Sequence, residues 1–234
     1  IIAANEGNAI ALAAGYYLAN KSIPLVYMQN SGLGNAVNPL LSLCDPEVYS
    51  IPMLLMIGWR GEPGVKDEPQ HIKQGKIQLD LLDTLNVPYV IISKDDKSYA
   101  SKVSSALTTA RNEDRPVALL MRKGVFEIYG APIPKVQNHQ MLREEALEVI
   151  LDNLDKNTII VSTTGKTSRE IFEIREKRGQ SHQQEFLTVG SMGHCSSIAL
   201  GIALAEPGRQ VVCIDGDGAM LMHLGILTTI ASTK

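Results

Sequence analysis

Two aspartates stand at the end of an apolar run in the sequence VVCIDGDGAMLMHLG, residues 211–225. Residues 211–214 have the pattern of a buried parallel strand, and Asp215 and Asp217 follow it within a glycine turn. Side chains at the carboxyl end of such a strand point into the crevice where open α/β sheets bind ligands. The flanking glycines let the backbone approach a bound group closely. The pattern therefore predicts a binding site at this strand end.

Two further turns are rich in small polar residues and precede helices. The first, STTGKTSRE (162–170), resembles part of a P-loop, but a P-loop requires a glycine where this chain has Ile160. The turn still offers free backbone N–H groups and hydroxyls to a phosphate. The second, VGSMGHCSSIALGIALA (189–205), repeats the chemistry. With the Gly-Asp-Gly aspartate, the two turns predict a diphosphate held with a divalent cation, because Mg²⁺ prefers carboxylate and phosphate oxygens.

In the first half of the sequence, Glu6 opens an alanine-rich stretch, ANEGNAIALAAGYYLA (4–19). Two interpretations are open. A glutamate in the first turn of a helix complements the helix dipole, and physics alone favours this common role. The alternative is a functional carboxylate held at the carboxyl edge of a sheet.

A cationic loop, WRGEPGVKDEPQHIKQG (59–75), follows an apolar segment. It carries Arg60, Lys66, His71 and Lys73 among glycines and prolines. Such a segment is commonly a solvated surface loop. A long loop with cations at a strand end is also where anionic substrate groups are often held.

The elements that position these residues alternate along the chain. Four short apolar segments have the pattern of strands: 23–29, 51–58, 87–92 and 115–122. Helix-length stretches accompany them: 6–19, 34–44, 72–86 and 97–112. This alternation predicts a parallel sheet covered by helices on both faces. Residues 124–142 contain glycine, prolines and a polar run, which predicts a linker between domains.

The alternation restarts after the linker. The patterns predict helices at 143–153, 167–178, 194–205 and from about 219, with strands at 158–163 and 210–215. The fold class is therefore α/β, with two doubly wound parallel-sheet domains, 1–123 and 143–234. Ile1 falls inside a strand pattern and Lys234 in or just after a helix. Both domains are therefore expected to be incomplete at the outer chain ends.

Composition narrows the function classes. The formal net charge is −3, and 44% of the residues are hydrophobic. This charge favours neither a nucleic acid nor a membrane surface as partner, and no apolar run is long enough for a membrane span. Cys44, Cys195 and Cys213 lie in apolar segments without a CxxC motif, which is typical of reduced core cysteines in a cytoplasmic protein.

The combination of a glutamate opening an alanine-rich helix in one α/β half with Gly-Asp-Gly in the other resembles the thiamine diphosphate (ThDP)-dependent decarboxylases. RGEPGVKDEPQH (60–71) and GSMGHCSSIALGIAL (190–204) are most similar to the phosphonopyruvate decarboxylases, with the sulfopyruvate decarboxylases as near neighbours. The resemblance covers nearly the whole chain. It implies ThDP-binding folds, with a pyrimidine-binding domain at 1–123 and a diphosphate-binding domain at 143–234.

The resemblance also implies roles for individual residues. Glu6 corresponds to the glutamate that hydrogen-bonds the aminopyrimidine ring, and Asp217 to a Mg²⁺ ligand. Met192 corresponds to an apolar wedge beneath the thiazolium, and Gly190 to the carbonyl that holds the ring amine. The remaining cofactor-binding residues implied are Thr163, Thr164, Gly165, Ser191, Gly216, Gly218 and Ala219. A further asparagine ligand of the family motif would lie beyond Lys234.

The implied activity is ThDP- and Mg²⁺-dependent decarboxylation of phosphonopyruvate to phosphonoacetaldehyde and CO₂, in phosphonate biosynthesis. Arg60 and Lys66 are expected to bind the anionic 2-keto acid, and His71 to act both in binding and in catalysis near the keto carbon. The family implies a homodimer or larger oligomer with the active site at a subunit interface. Sulfopyruvate decarboxylation and a non-catalytic ThDP-fold binding module are the alternatives. A Rossmann dehydrogenase is excluded because no G-x-G-x-x-G follows an early strand.

Overall fold

The computed structural model describes residues 1–130 and 140–233. The chain divides into two compact units, Ile1–Gly130 and Ala131–Lys234. The predicted linker, 124–142, contains the point of division, but its central part, 131–139, lies outside the described residues. Within the described ranges, every helix is too short or too polar to cross a membrane.

The first unit contains a four-stranded parallel sheet in the order β1-β2-β4-β3. Its strands are β1 (Leu25–Gln29), β2 (Met53–Gly58), β3 (Tyr89–Ile92) and β4 (Pro116–Met121). All four predicted strands are confirmed. Every residue of β4 is buried. Strands with both faces buried are typical of parallel sheets with helices on either side.

Five helices accompany this sheet: α1 (Glu6–Asn20), α2 (Leu33–Pro39), α3 (Ile72–Lys76), α4 (Gln78–Thr84) and α5 (Tyr99–Asn112). Two separate cores lie on its two faces. One core joins α1, α2 and α4 to the sheet through residues such as Ile10, Leu33 and Leu82. The other places Ala106 and Ala110 of α5 against Leu119. The doubly wound arrangement predicted for this half is therefore confirmed.

Two helices of the first unit are shorter than the sequence predicts. The predicted helix 34–44 ends as α2 at Pro39 and continues as a π-helical turn, Leu40–Cys44. The predicted helix 72–86 divides into α3 and α4 around Ile77. The carbonyl of Gly75 accepts a hydrogen bond from the buried indole of Trp59 at 3.0 Å. This contact lies near the break, where Ile77, with φ −93° and ψ 4°, departs from helical geometry.

The second unit contains three parallel strands in the order β6-β5-β7. They are β5 (Ile159–Ser162), β6 (Glu185–Leu187) and β7 (Val211–Ile214). Its helices are α6 (Arg143–Asp152), α7 (Lys166–Lys177), α8 (Cys195–Ala205), α9 (Asp217–Met222) and α10 (Ile226–Ser232). One core packs α6 and α7 on one face of the sheet, and a second packs α8 on the other.

One prediction about an element end is wrong, whereas the helix expected from about 219 is confirmed as α9, with a slightly earlier start. Residues 1–5 form neither strand nor helix, and Ile1 and Ile2 are fully exposed, because no described strand pairs with them. The helix expected from about 219 begins at Asp217, with Gly216 as its N-cap, and is interrupted after Met222 before α10.

The three cysteines form no disulfide bond. Burial raises the pKa of the Cys44 thiol to about 12 and also raises the pKa values of Cys195 and Cys213. The thiols therefore remain protonated and pack as apolar groups, as the sequence predicted.

Candidate functional site

Three loops meet at the carboxyl edge of the sheet in the second unit. They follow β5, β6 and β7, and they contain all the cofactor-binding residues predicted in this half. The Thr163 N–H donates to the carbonyl of Ile214 at 2.9 Å, which joins the first loop to the end of β7. A Cβ placed on Gly216 would lie 3.5 Å from Thr163 Cγ2. A Cβ on Gly218 would lie 3.4 Å from Met192 Cε, so all three loops are in contact.

The loop after β5 is shaped by hydroxyl groups. Ser168 Oγ lies 2.6 Å from Ser162 Oγ and donates to the Thr163 carbonyl at 2.7 Å. Gly165 has φ = 98°, a left-handed conformation that favours glycine, and α7 begins at the next residue. The turn therefore presents Thr164 and the start of a helix at the sheet edge.

The loop after β6 depends on a strand that the sequence analysis missed. Glu185–Leu187 has only three residues, too few for a periodic pattern to identify. It pairs with β5, and Thr188 Oγ1 donates to the Ser162 carbonyl at 2.7 Å. This strand brings the Gly-Ser-Met-Gly turn, residues 190–193, to the same edge as the other two loops.

The turn 190–193 has a constrained backbone and an apolar surface. Ser191 and Gly193 have φ values of 56° and 90°. A Cβ on Gly193 would lie 2.7 Å from His223 Cδ2, so glycine is required there. The side chains of Val189 and Met192 are exposed, at 68% and 45%. An apolar group could therefore pack against this turn.

The acidic groups at the end of β7 differ in their surroundings. Asp217 is the first residue of α9 and is exposed, and no described side chain or N–H pairs with its carboxylate. Asp215 Oδ1 accepts the Gly216 N–H at 2.8 Å. Asp215 Oδ2 is buried without a hydrogen-bond partner in the described structure, on the side of Cys195 and Cys213.

These loops fit a diphosphate with a magnesium ion. A carboxylate with no protein partner, threonine hydroxyls and a glycine turn are the donors and the space that such a group requires. Asp217 could bind the metal, while residues 163–165 and 216–219 could contact the diphosphate. Ala219, in the first turn of α9, is buried.

In the first unit, Glu6 is held at the start of α1. Asn35 Nδ2 donates to Glu6 Oε2 at 2.9 Å. A Cβ on Gly32 would lie 2.1 Å from Glu6 Oε1, so the carboxylate occupies the space that a side chain at this position would need. The N-cap role belongs to Asn5, whose side chain accepts the Asn8 N–H at 2.9 Å. Glu6 is therefore a positioned carboxylate, and a dipole role alone does not explain its contacts.

The cationic loop lies at the same edge of the sheet as Glu6. Asn30 follows β1, and its side chain donates to the Arg60 carbonyl and accepts the Arg60 N–H, both at 2.9 Å. Gln74 Nε2 donates to the carbonyl of Ser31 at 3.4 Å. These bonds fasten the loop after β2 to the turn that follows β1, whose last residue is Gly32.

The predicted substrate-binding residues Arg60, Lys66 and His71, together with Lys73 of the same loop, separate into two groups. Arg60 and His71 both contact Asp67, at 2.6 Å and 3.0 Å. Lys66 and Lys73 are exposed, and no described residue pairs with them. Sequence reasoning missed Asp67, Asn35, Asn30 and Gly32. The i, i+4 spacing of Asp67 and His71 in DEPQH was a sequence signal for Asp67. No sequence pattern indicated the other three residues.

Comparison with known proteins agrees with this arrangement. Residues 163–234 match the model of the thiamine pyrophosphate enzyme C-terminal TPP binding domain. The chain is 36% identical to the phosphonopyruvate decarboxylase of Streptomyces viridochromogenes, over 97% of this chain and 59% of the relative. It is 29% identical to the sulfopyruvate decarboxylase of Methanosarcina acetivorans, over 97% of this chain and 61% of that protein.

The chain covers a larger share of a shorter relative. The chain is 35% identical to the sulfopyruvate decarboxylase subunit alpha of Methanocaldococcus jannaschii, over 51% of this chain and 68% of that subunit. The chain spans about three fifths of the length of the phosphonopyruvate decarboxylases it matches. With a matching cofactor-domain model and relatives along its whole length, the chain belongs to the thiamine diphosphate-dependent decarboxylases that include the phosphonopyruvate and sulfopyruvate decarboxylases.

Proposed function

We propose that the protein decarboxylates phosphonopyruvate to phosphonoacetaldehyde and CO₂, using ThDP and Mg²⁺. The observation that carries this proposal is the meeting of residues 163–165, 190–193 and 216–219 at one sheet edge. The similarity to phosphonopyruvate decarboxylases over 97% of the chain supports the choice of substrate.

The second unit is the proposed diphosphate-binding domain. Asp217 would bind Mg²⁺, and Thr163, Thr164, Gly165, Gly216 and Gly218 would hold the diphosphate. Met192 would pack against the thiazolium ring, and the Gly190 carbonyl would accept a hydrogen bond from the ring amine. When bound, ThDP supplies the electron sink that allows CO₂ to leave a 2-keto acid. The exposed Met192 and Val189 provide the apolar surface that excludes water from that ring.

The first unit is the proposed pyrimidine-binding domain, and Glu6 is its catalytic carboxyl group. Asn35 and Gly32 hold the Glu6 carboxylate in one place. Held in this way, Glu6 would face the pyrimidine ring and hold the proton that such a ring requires, and positioned proton transfer contributes about 10²- to 10⁴-fold to rate.

Substrate recognition is assigned to the cationic loop. Two donors of Arg60, Nε and Nη2, are already bound to Asp67, at 2.9 Å and 2.6 Å. The exposed Lys66 has no described partner, so it is the better placed of the two cations to pair with the phosphonate. Arg60 then contributes its remaining N–H donors and its charge, and His71 acts near the keto carbon.

The assembly and its location complete the proposal. A homodimer or larger oligomer, with the active site at a subunit interface, follows from the family resemblance, and one relative is itself named as a subunit. Three cysteines without a disulfide bond fit the reducing cytoplasm. The partner proposed is a small anionic keto acid, with neither nucleic acid nor membrane involved.

Sulfopyruvate decarboxylation is the second candidate, because a sulfopyruvate decarboxylase matches 97% of the chain. Sulfonate carries one negative charge at neutral pH, whereas phosphonate carries up to two. The basic residues of 59–75 are balanced by Glu62, Asp67 and Glu68, so the exposed Lys66, which no described residue pairs with, is what favours the more highly charged phosphonate.

The test is a comparison of kcat/KM for phosphonopyruvate, sulfopyruvate and pyruvate with the full-length protein, ThDP and Mg²⁺. We expect phosphonopyruvate to be the best substrate and pyruvate the poorest. Lys66→Ala should raise KM for phosphonopyruvate about ten- to a hundredfold, because a charge-assisted contact is lost, and change KM for pyruvate little. Lys97→Ala, a lysine outside the cationic loop, is the control. Preference for sulfopyruvate would establish the second candidate instead.

A further inference from the structure

Asp67 is the centre of a cluster that joins both ends of the cationic loop. Its carboxylate accepts hydrogen bonds from Arg60 Nε and Nη2 at 2.9 Å and 2.6 Å. It also accepts the N–H groups of Gly61 and Glu68 at 2.8 Å and 2.7 Å. The fifth contact is with His71 Nδ1, at 3.0 Å. The Asp67 side chain is only 13% exposed.

These contacts keep Asp67 ionised. The hydrogen bond from Arg60 is the main cause of a pKa far below the usual range for a carboxyl group, and the bonds from Gly61, His71 and Glu68 lower the pKa further. An ionised carboxylate accepts hydrogen bonds and cannot donate them. In the contact between Asp67 and His71, the proton therefore belongs to His71 Nδ1.

With its proton on Nδ1, His71 has one ring nitrogen left for other chemistry. No hydrogen bond joins Nε2 to any residue in the described ranges, and this atom keeps contact with solvent although the side chain is only 12% exposed. The backbone around the ring is also fixed. A Cβ on Gly61, where φ is 67°, would lie 2.0 Å from the His71 carbonyl oxygen. The imidazole therefore has one defined orientation with one available nitrogen.

We propose that Asp67 is the positioning residue of the reaction: it holds His71 with the proton on Nδ1 and presents Nε2 to the substrate. This inference rests on the proposed function. Loss of CO₂ breaks a carbon–carbon bond, and the carbon left behind gains one proton to give the aldehyde. A protonated His71 delivers that proton from Nε2 and takes up another from water. Asp67 fixes the orientation of the ring for this transfer, and Arg60 keeps Asp67 in place.

A purely structural role for Asp67 makes a different prediction. If Asp67 only fastened the loop through Arg60, its loss would lower stability and weaken substrate binding, but it would not change which ring nitrogen of His71 carries the proton. The protonation pattern of the ring therefore separates the two roles.

The test uses the full-length protein labelled with ¹⁵N-histidine and long-range ¹H–¹⁵N spectra of the rings, recorded at alkaline pH where imidazoles are neutral. His71→Gln identifies the His71 signals. We expect Nδ1 to be protonated and Nε2 bare in the native protein. In Asp67→Asn the pattern should shift toward protonated Nε2, because an amide can also donate to Nδ1.

Glu62→Gln is the matched control. Glu62 lies in the same loop and pairs with Arg122 Nε at 2.8 Å, without contact to His71. Its loss should leave the ring pattern unchanged. In kinetics, Asp67→Asn should lower kcat for phosphonopyruvate at least about tenfold with little change in KM, as expected for impaired proton transfer.

The outcomes are separable. A native His71 protonated on Nε2, or a ring pattern that Asp67→Asn does not alter, would overturn the inference. The native spectrum decides this point even if Asp67→Asn does not fold. A protein without activity on phosphonopyruvate would refute the proposed function, whatever the ring spectrum shows.

Discussion

The candidate site residues of the two units differ in how their charges are partnered. In the first unit, Asp67 accepts five hydrogen bonds and Glu6 accepts one from Asn35. In the second unit, Asp217 is exposed without a partner in the described part of the chain. Asp215 Oδ2 is buried and unpartnered there as well.

This difference indicates that the carboxyl edges of the two sheets have different roles. Asp217 is solvated, but the buried Asp215 Oδ2 is unfavourable unless a cation or a hydrogen-bond donor compensates it. The loops of the second unit therefore need a bound group to complete them. The first unit holds its groups in place by its own hydrogen bonds, so its geometry is ready before any ligand binds. Substitutions at Asp217, Glu6, Gly32 and Asp67 test this contrast.

The largest effect is expected at the unpartnered carboxylate. Asp217→Ala should abolish Mg²⁺-dependent ThDP binding. In the described loops that follow β5, β6 and β7, no other exposed carboxylate could replace Asp217 as the metal ligand. Titration calorimetry with the full-length protein measures this binding. Asp152→Ala removes an exposed acidic group of the same unit, paired with Arg178, and should bind ThDP normally. Tight magnesium-dependent binding by Asp217→Ala would remove the metal assignment.

In the first unit, Glu6→Gln should separate binding from turnover. Glutamine can still accept the hydrogen bond from Asn35, so ThDP binding should change little. It cannot exchange a proton, so kcat should fall at least about a hundredfold. Unchanged turnover, measured by CO₂ release, would mean that Glu6 only complements the helix dipole.

A substitution at Gly32 can move the Glu6 carboxylate while Glu6 itself is retained. In Gly32→Ala the new Cβ would lie 2.1 Å from Glu6 Oε1, so the carboxylate must move away from Asn35. A displacement of about an ångström costs up to ~10²-fold in rate, and we expect at least about a tenfold loss in kcat. Gly34→Ala is the control, because its Cβ would meet no atom within 4 Å. Equal activity of the two variants would show that Glu6 is not held by this packing.

The smallest expected effect is on stability. Asp67→Asn should lower the free energy of unfolding by about 1.5 kcal/mol at neutral pH, near the low end for charge-assisted hydrogen bonds because Arg60 is partly exposed. The pKa of Asp67 is lowered by folding from its ordinary value of 3.8. Its stabilising contribution is therefore complete above that value and is lost as the pH falls below it.

Urea unfolding of both proteins over a range of pH tests this dependence. The difference between native and Asp67→Asn proteins should narrow as the medium becomes more acidic. A difference independent of pH would mean that the charge of Asp67 contributes nothing to stability.

The sequence predicted most of the scaffold because local patterns determine it. The four strands of the first sheet are continuous apolar segments, and each was identified. The breaks around Pro39 and Ile77 were missed, and the second lies near a contact between Trp59 and Gly75, which are distant in the sequence. Strand β6 was missed because three residues are too few to show a period.

The sequence predicted the identity of several site residues, but it predicted their contacts less well. Glu6 and Asp217 were identified by the family resemblance, but physics alone favoured a dipole role for Glu6. Only the contacts with Asn35 and Gly32 reveal that its carboxylate is held. Arg60 was expected to face the substrate, whereas the structure pairs it with Asp67, because the two ends of the loop approach each other only in the fold.

The most direct test of the contrast is hydrogen–deuterium exchange of the full-length protein, with and without ThDP and Mg²⁺. We predict that ligand addition slows exchange in 163–165, 190–193 and 215–219, where groups are unpartnered. Residues 60–71 should show little change, because Asp67 already bonds both ends of that segment. Strong protection confined to 60–71, with no change at 215–219, would contradict the account.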